Sequence, residues 1–276
     1  NSPWASLDRV RVGYCVTSAV YVGTSSRMEM NASIVEQSLF AGLSVFTGST
    51  VQVTGSLIRD NSKADLYLQG GQVSLRNSIM EASGAQRFVY YWGGGGSLTS
   101  DYNNIRVSSG ASVAGGDSRQ PSRFLIDWQI STAFSNDVSS VGYEANFNDA
   151  ANLDFHLTSA SGRYDPVLQT HVATDTVTSL LIDLGDRASV YTNEPSPNGG
   201  RINLGLYGNT AQASMSSGLC ALVPLTMSDG GTIRGEAKLY WSWNGLSPID
   251  QVYVDFSPDG GLTWTNIATN VAASAG

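Results

Sequence analysis

The chain has 276 residues, of which 41% are hydrophobic and only 14% charged, with 30 glycines and a formal net charge of −8. This is enough apolar material for a long, narrow core and too much for a disordered chain. Lys63 and Lys238 are the only lysines. The acidic balance argues against nucleic acid or an anionic membrane surface as partner, because both require basic patches.

The first hundred residues repeat. Val22, Val45, Leu68 and Tyr91 lie 23 apart, and Met30, Val53, Leu75 and Leu98 step by 23, 22 and 23. A third column, Val12, Ile34, Leu57, Ile79 and Tyr102, steps by 22, 23, 22 and 23. A unit this short cannot bury a face alone, so units must stack and share one core. Within each unit apolar and polar residues alternate, as in Val20-Tyr21-Val22, Met28-Glu29-Met30, Val51-Gln52-Val53 and Val73-Ser74-Leu75. That is the period of a strand. Turn formers separate them, among them Gly48-Ser49, Gly70-Gly71 and the run from Gly93 to Gly96. Three short strands per unit predict a parallel β-helix of 22–23-residue coils. A leucine-rich repeat would need Leu and Asn at fixed offsets, which these columns lack.

From Ser108 to Asn152 the period fades into Ser, Asn, Asp and Gly, with Phe124, Ile126, Trp128 and Ile130 as apolar anchors. This stretch is expected to form longer loops decorating one or two further coils. Strand alternation returns at Asp154-Phe155-His156-Leu157, then in the segment Leu180 to Asp186. The small polar residues of 214–222 predict a linker. Beyond it, Ala237 to Trp243, Val252 to Phe256 and Trp264 to Ala268 read as antiparallel strands, the last two joined by a tight turn at Ser257 to Trp264. The expected organisation is a β-helix over 1–213, a linker over 214–222 and part of an antiparallel β-sandwich over 223–276.

The Asp-Phe-His-Leu segment, followed by Pro197-Asn198-Gly199-Gly200-Arg201-Ile202-Asn203-Leu204-Gly205 and then Tyr207-Gly208-Asn209-Thr210, resembles the last coils of bacterial right-handed parallel β-helix proteins of the pectin-lyase-like superfamily. The resemblance covers residues 1–213. It implies a large secreted or surface-anchored parent protein and a structural ending, in which Arg201 and Asn203 would hydrogen-bond loop carbonyls over the open end of the core. The strands after the linker resemble the first half of an immunoglobulin-like or fibronectin-like sandwich, a fold of about 100 residues. The chain is therefore expected to be cut from a longer protein, with further domains of the same parent as neighbours. Ser257 to Trp264 also matches the Asp-box of sialidase-type propellers. It occurs once, so it is read as a hairpin brace in which Asp259 bonds turn amides and Trp264 packs inward.

The superfamily includes polysaccharide lyases and glycoside hydrolases that work with clustered acids. The coils here show no paired Asp-Asp and no cluster of acids returning at the period. Glu36, Arg59 and Glu81 do return at 23 and 22, which stacks a cation between two carboxylates. They are the catalytic candidates, although such a ladder reads first as neutralised surface charge. Taking Tyr91 as inward places Tyr90 and Trp92 outward, a two-ring platform for a sugar face, against which stands packing beneath the loops of 110–150. His156 and His171 have no cysteine or second histidine at metal-ligand spacing. Asn146 to Asp154 offers oxygen ligands suited to calcium without the spacing of a calcium loop, and no other cofactor is expected. Cys15 and Cys220 fall in different modules, and a bridge between them has no support.

Two functions remain in view. One is a structural or adhesive rod module of an extracellular or cell-surface protein, contacting polysaccharide or another surface protein without inserting into a membrane. The other is a carbohydrate-active β-helix enzyme.

Overall fold

The computed structural model describes residues 4–218, 221–233, 235–236, 238–245 and 250–275. Cys220, Leu219 and Ala237 lie outside these residues, and so does the question of a Cys15–Cys220 bridge. Residues 4–116 wind through five coils of three strands each. These are β1 (Ala5–Asp8), β2 (Arg11–Gly13) and β3 (Val20–Val22); β4 (Arg27–Asn31), β5 (Ile34–Glu36) and β6 (Ala41–Phe46); β7 (Thr50–Thr54), β8 (Leu57–Arg59) and β9 (Ala64–Gln69); β10 (Gln72–Arg76), β11 (Ile79–Ser83) and β12 (Phe88–Trp92); and β13 (Ser97–Asp101), β14 (Asn104–Ser108) and β15 (Ser112–Gly116). Corresponding strands pair in parallel, making three walls: β1-β4-β7-β10-β13, β2-β5-β8-β11-β14 and β3-β6-β9-β12-β15. This is the parallel β-solenoid of roughly 23-residue coils that the columns predict.

Side chains alternate in and out along every strand, so pairing register decides what is buried. Met28, Val51 and Val73 line the core from the first wall, Val35, Ile58, Met80 and Ile105 from the second, and Leu43, Leu66 and Tyr90 from the third. The columns read from the sequence need three corrections. Val12 pairs with Val35 rather than Ile34. Leu98 pairs with Val73, leaving Ser100 opposite Leu75, because two extra residues before β12 and one in the glycine run lengthen that coil. Tyr102 is a corner residue at φ 56°.

The first corner of each coil carries a buried polar ladder. Ala32, Gly55, Asn77 and Tyr102 take left-handed φ, and Ser33, Ser56, Ser78 and Asn103 follow them. The backbone N–H of Ser33 donates to Ser56 Oγ (3.2 Å), that of Ser56 to Ser78 Oγ (3.2 Å), that of Ser78 to Asn103 Oδ1 (2.9 Å) and that of Asn103 to Ser140 Oγ (2.9 Å). Each hydroxyl of Ser33, Ser56 and Ser78 in turn donates to the carbonyl two residues back. Corner amides that no strand can reach are thus satisfied, as buried backbone groups must be. Ser56→Ala removes the acceptor of a buried N–H, and urea denaturation should show a loss of about 1–3 kcal/mol. An unchanged midpoint would mean that the ladder is dispensable.

After β15 the chain folds across the end of the core. β16 (Arg119–Ser122) runs antiparallel to β15, and α1 (Leu125–Ser131) lays Leu125 and Trp128 on the last coil. Trp128 contacts both Tyr90 and Trp92, at ring-centroid distances of 5.7 and 5.5 Å. Asp137, fully buried, accepts from Trp128 Nε1 (2.8 Å), Ser100 Oγ (2.7 Å) and Ser140 Oγ (2.7 Å). The stretch expected to decorate further coils therefore supplies the last strand of the fifth coil and then its lid, with a last bridge between Asn104 and Val141.

Residues 141–216 turn back along the outside of the second wall. Here Ile34, Leu57 and Ile79, the outward members of that wall, pack with Val141, Phe155, Leu157, Leu181, Leu184 and Leu204 in a second core. The flap includes β17 (Phe147–Asp149), β18 (Asp154–Leu157), β19 (Arg163–Asp165) and β20 (Thr170–Val172), in two antiparallel pairs. Arg201 donates to the carbonyls of Gly185 and Leu184, and Asn203 to that of Ser214 (2.8 Å). They do bond loop carbonyls, but over the side of the solenoid and not over its open end, which α1 and Asp137 cover. Gly205, at φ 87°, donates to the Asn77 carbonyl (2.8 Å), and a Cβ there would lie 2.7 Å from Ile79 Cδ1. Glycine is required for that approach. Within the span expected as a linker, Ser214 and Ser216 are buried and bonded to Leu157 and Pro197 carbonyls.

The C-terminal residues form two small antiparallel sheets, β21 (Ala221–Pro224) with β22 (Trp241–Asn244) and β23 (Gln251–Phe256) with β24 (Thr265–Ala272). In the turn between β23 and β24, Asp259 accepts from the Thr263 amide (2.8 Å) and hydroxyl (2.7 Å), as expected of a hairpin brace. Trp264 does not pack inward; it is 64% exposed. No helix among the described residues is long and apolar enough to cross a membrane.

Candidate functional site

The second wall brings Glu36, Arg59 and Glu81 into one row, each paired with the next across adjacent strands, and Arg106 extends it. Their alternation with Val35, Ile58 and Met80 points them outward. The row is not evenly paired. Glu36 is buried and held by Arg11 Nε (2.6 Å) and Arg59 Nε (3.4 Å). Arg59 also meets Asp60 (3.0 Å) and lies over the Phe155 ring of the flap at 5.3 Å. Arg106 is taken by Glu144. Glu81, flanked by two arginines that other carboxylates occupy, forms no ion pair among the described residues.

Burial pushes the Glu81 carboxyl up to about 7, against the opposing pull of Arg59 and Arg106. It opens on a cleft of about 190 Å³ that Asp60, Arg106 and Glu144 also line. Chemically this is a carboxyl that titrates near neutrality beside two ion-paired carboxylates, a combination able to offer one acid and one base. Glu36 is buried beneath Arg11 and Arg59, and the row opens on a cleft at Glu81.

Tyr90 and Trp92 do not form an outward platform. Tyr90 pairs with Leu66 and Trp92 with Leu68, so both point into the core, fully buried and 9% exposed respectively. Tyr90 is 24 residues after Leu66 where Leu66 is 23 after Leu43. One extra residue in a strand of period two exchanges the faces. Tyr91 is the outward ring, stacked on Tyr67 at 5.7 Å and donating to Asp117 (2.6 Å).

Neither histidine joins the charged row. His156 is buried, bonded through Nδ1 to Asp154 (2.5 Å) and stacked on Tyr207 at 3.7 Å. Burial holds its imidazole below the usual range, against the pull of Asp154. His171 Nε2 meets the Ala213 carbonyl (3.0 Å). In the acid-rich segment, Asp149 caps Asn152 and Asp154 meets Asn148 (2.6 Å) as well as His156. No group of three or more His, Cys, Asp or Glu side chains is set to hold a metal among the described residues.

Arg106 and Glu144 were not anticipated. Arg106 lies 25 residues after Glu81, outside the 22–23 period, for the same reason that Leu98 slipped. Glu144 carries no repeat signal at all. No protein-family model, curated protein or solved structure matches the chain.

Proposed function

We propose that this chain is a structural and adhesive rod segment of a large extracellular or cell-surface protein, with polysaccharide as the ligand it contacts. The observation that carries this reading is the state of the row on the second wall. Glu36, Arg59 and Arg106 are consumed by ion pairs with one another, Arg11, Asp60 and Glu144, and Glu36 is buried. Such an arrangement neutralises the wall of a stacked coil. The resemblance of the closing run to pectin-lyase-like β-helices of surface proteins, and of the last strands to the start of an immunoglobulin-like sandwich, supports the same reading.

The alternative, a carbohydrate-active lyase or hydrolase, is favoured by one observation, the Glu81 carboxyl raised to about 7 in an open cleft beside Glu144. A turnover screen on acidic and neutral polysaccharides, read as reducing or unsaturated ends, separates the two. The rod predicts no product from the wild-type chain or from Glu81→Gln. Product from the wild type that falls at least 100-fold in Glu81→Gln would move the function to this cleft.

A further inference from the structure

The outer face of the third wall carries a second cleft, of about 450 Å³, between the edge of the coils and the turn joining β15 to β16. Its floor is aromatic. Phe88 meets Tyr91 edge-on at 5.0 Å, and Tyr91 stacks on Tyr67. The position in register with Tyr91 on the next coil is Gly115, and a Cβ there would collide with the Phe88 ring, so glycine leaves the ring its place. Gln86, Ser118 and Gln120 add hydrogen-bonding groups at the rim.

Two cations line this cleft, and among the described residues they share with Arg27, Arg87, Arg123, Arg187 and Arg201 the lack of an ion pair. Arg9, Arg11, Arg59, Arg76, Arg106 and Arg163 each meet a carboxylate. Lys63 and Arg119, which line the cleft, meet none among the described residues. Lys63 Nζ stands 4.0 Å from the centre of the Tyr91 ring and the Arg119 guanidinium 4.3 Å from that of Trp92. Rings hold these cations in place by cation–π attraction without consuming their N–H donors. The one carboxylate of the cleft, Asp117, is engaged by the Tyr91 hydroxyl at 2.6 Å. A chain of net charge −8 thus keeps two cations without carboxylate partners beside an aromatic floor.

We propose that this cleft binds an anionic sugar unit of an extracellular polysaccharide, its carboxylate or sulfate group between Lys63 and Arg119 and its ring against Phe88. The inference rests on the polysaccharide-contact reading above and adds the place and the charge of the ligand. Aromatic floors take the apolar face of a sugar, and charge-assisted hydrogen bonds select the acid.

The test is calorimetric titration of the whole chain with three oligosaccharides of equal length: carboxylated, sulfated and neutral. Binding of the carboxylated or the sulfated arm, weakened at least tenfold by Lys63→Gln and by Arg119→Gln and falling with added salt, is the expected result; near-UV circular dichroism checks that each variant is folded. Both cations pack on rings, and Arg119, the more exposed of the two, provides the cleaner variant. Acidic binding that survives both substitutions overturns the site. Binding of the neutral arm alone overturns this inference and leaves the polysaccharide contact standing, whereas no binding in any arm removes both.

Discussion

Asp137→Ala is expected to lower the unfolding free energy by about 3–5 kcal/mol, the largest loss for any single substitution in the lid. Its carboxylate gathers Trp128 Nε1, Ser100 Oγ and Ser140 Oγ in a site with no solvent, and the Asp137 carbonyl accepts from Gln129 (2.6 Å). Truncation leaves three buried donors without an acceptor, and Trp128 loses the group that orients it over Tyr90 and Trp92. Burial raises the Asp137 carboxyl above the usual range, while the Ser and Trp donors pull it down. Asp137→Asn keeps one acceptor oxygen and should fall between alanine and wild type. Guanidinium denaturation followed by tryptophan fluorescence measures both variants. An alanine loss under about 1 kcal/mol would mean that the lid is held by its apolar contacts alone.

The protein is also expected to become more stable as the solution is acidified from pH 8 to about pH 5. Burial raises Glu81 and Glu194 from 4.5 to about 7 and Asp183 from 3.8 to about 6. Between about pH 4.5 and 7 for the two glutamates, and between 3.8 and about 6 for Asp183, the unfolded chain has released these protons and the folded chain still holds them, so each upward step in pH favours unfolding until the folded value is passed. His156 acts in the opposite sense below its ordinary value of 6.5, because the folded state keeps it neutral, but it is one group against three. Asp154, held below 3.8, reverses the trend only in stronger acid. Glu194 is the group to isolate. Its Oε1 accepts the amides of Asn203 (2.9 Å) and Asn209 (2.8 Å), while Oε2 is buried without a partner. Glu194→Gln preserves the two amide contacts and removes the ionisation. It should stabilise the chain by about 2–3 kcal/mol at pH 8, change it little at pH 5, and flatten the dependence of melting temperature on pH. A variant with the same slope as wild type would show that Glu194 is not the group responsible.

How far the architecture is legible depends on whether the repeat keeps step. As far as β11, Val22, Val45 and Leu68 and then Ile34, Leu57 and Ile79 fall into the registers found in the walls. In the fourth coil the segment from Gly84 to Arg87 adds two residues before β12, which turns the 22-residue step of β11 into a 24-residue step, one beyond the period, and the glycine run lengthens the approach to β13. Period-two alternation turns the first insertion into an exchange of faces, which is why Tyr91 is outside and Tyr90 and Trp92 inside. Ile34, Leu57 and Ile79 mislead differently. They are apolar because the flap covers them, and a strand buried on both faces shows no preference for either. The charged row was legible because Glu36, Arg59 and Glu81 precede the insertion. The serine ladder could have been found at Ser33, Ser56 and Ser78, which keep the same 23 and 22 spacing. Asp137 could not, since nothing local distinguishes it from the other acids of its loop.

The flap ties together coils that are far apart in the stack. Tyr143 and Val141 meet Asn104 on the fifth coil, Gly205 reaches Asn77 on the fourth, and Leu206 and Tyr207 lie beside Val10 and Ile34 on the first two. In a bare stack each coil would touch only its neighbours, and unravelling could begin at the exposed first coil and proceed one turn at a time. Here the end turns cannot fray without releasing a segment that also clamps the far end. Unfolding should therefore be one cooperative event, with the flap joining late in folding because its contacts close loops of more than a hundred residues, as between Arg76 and Asp186.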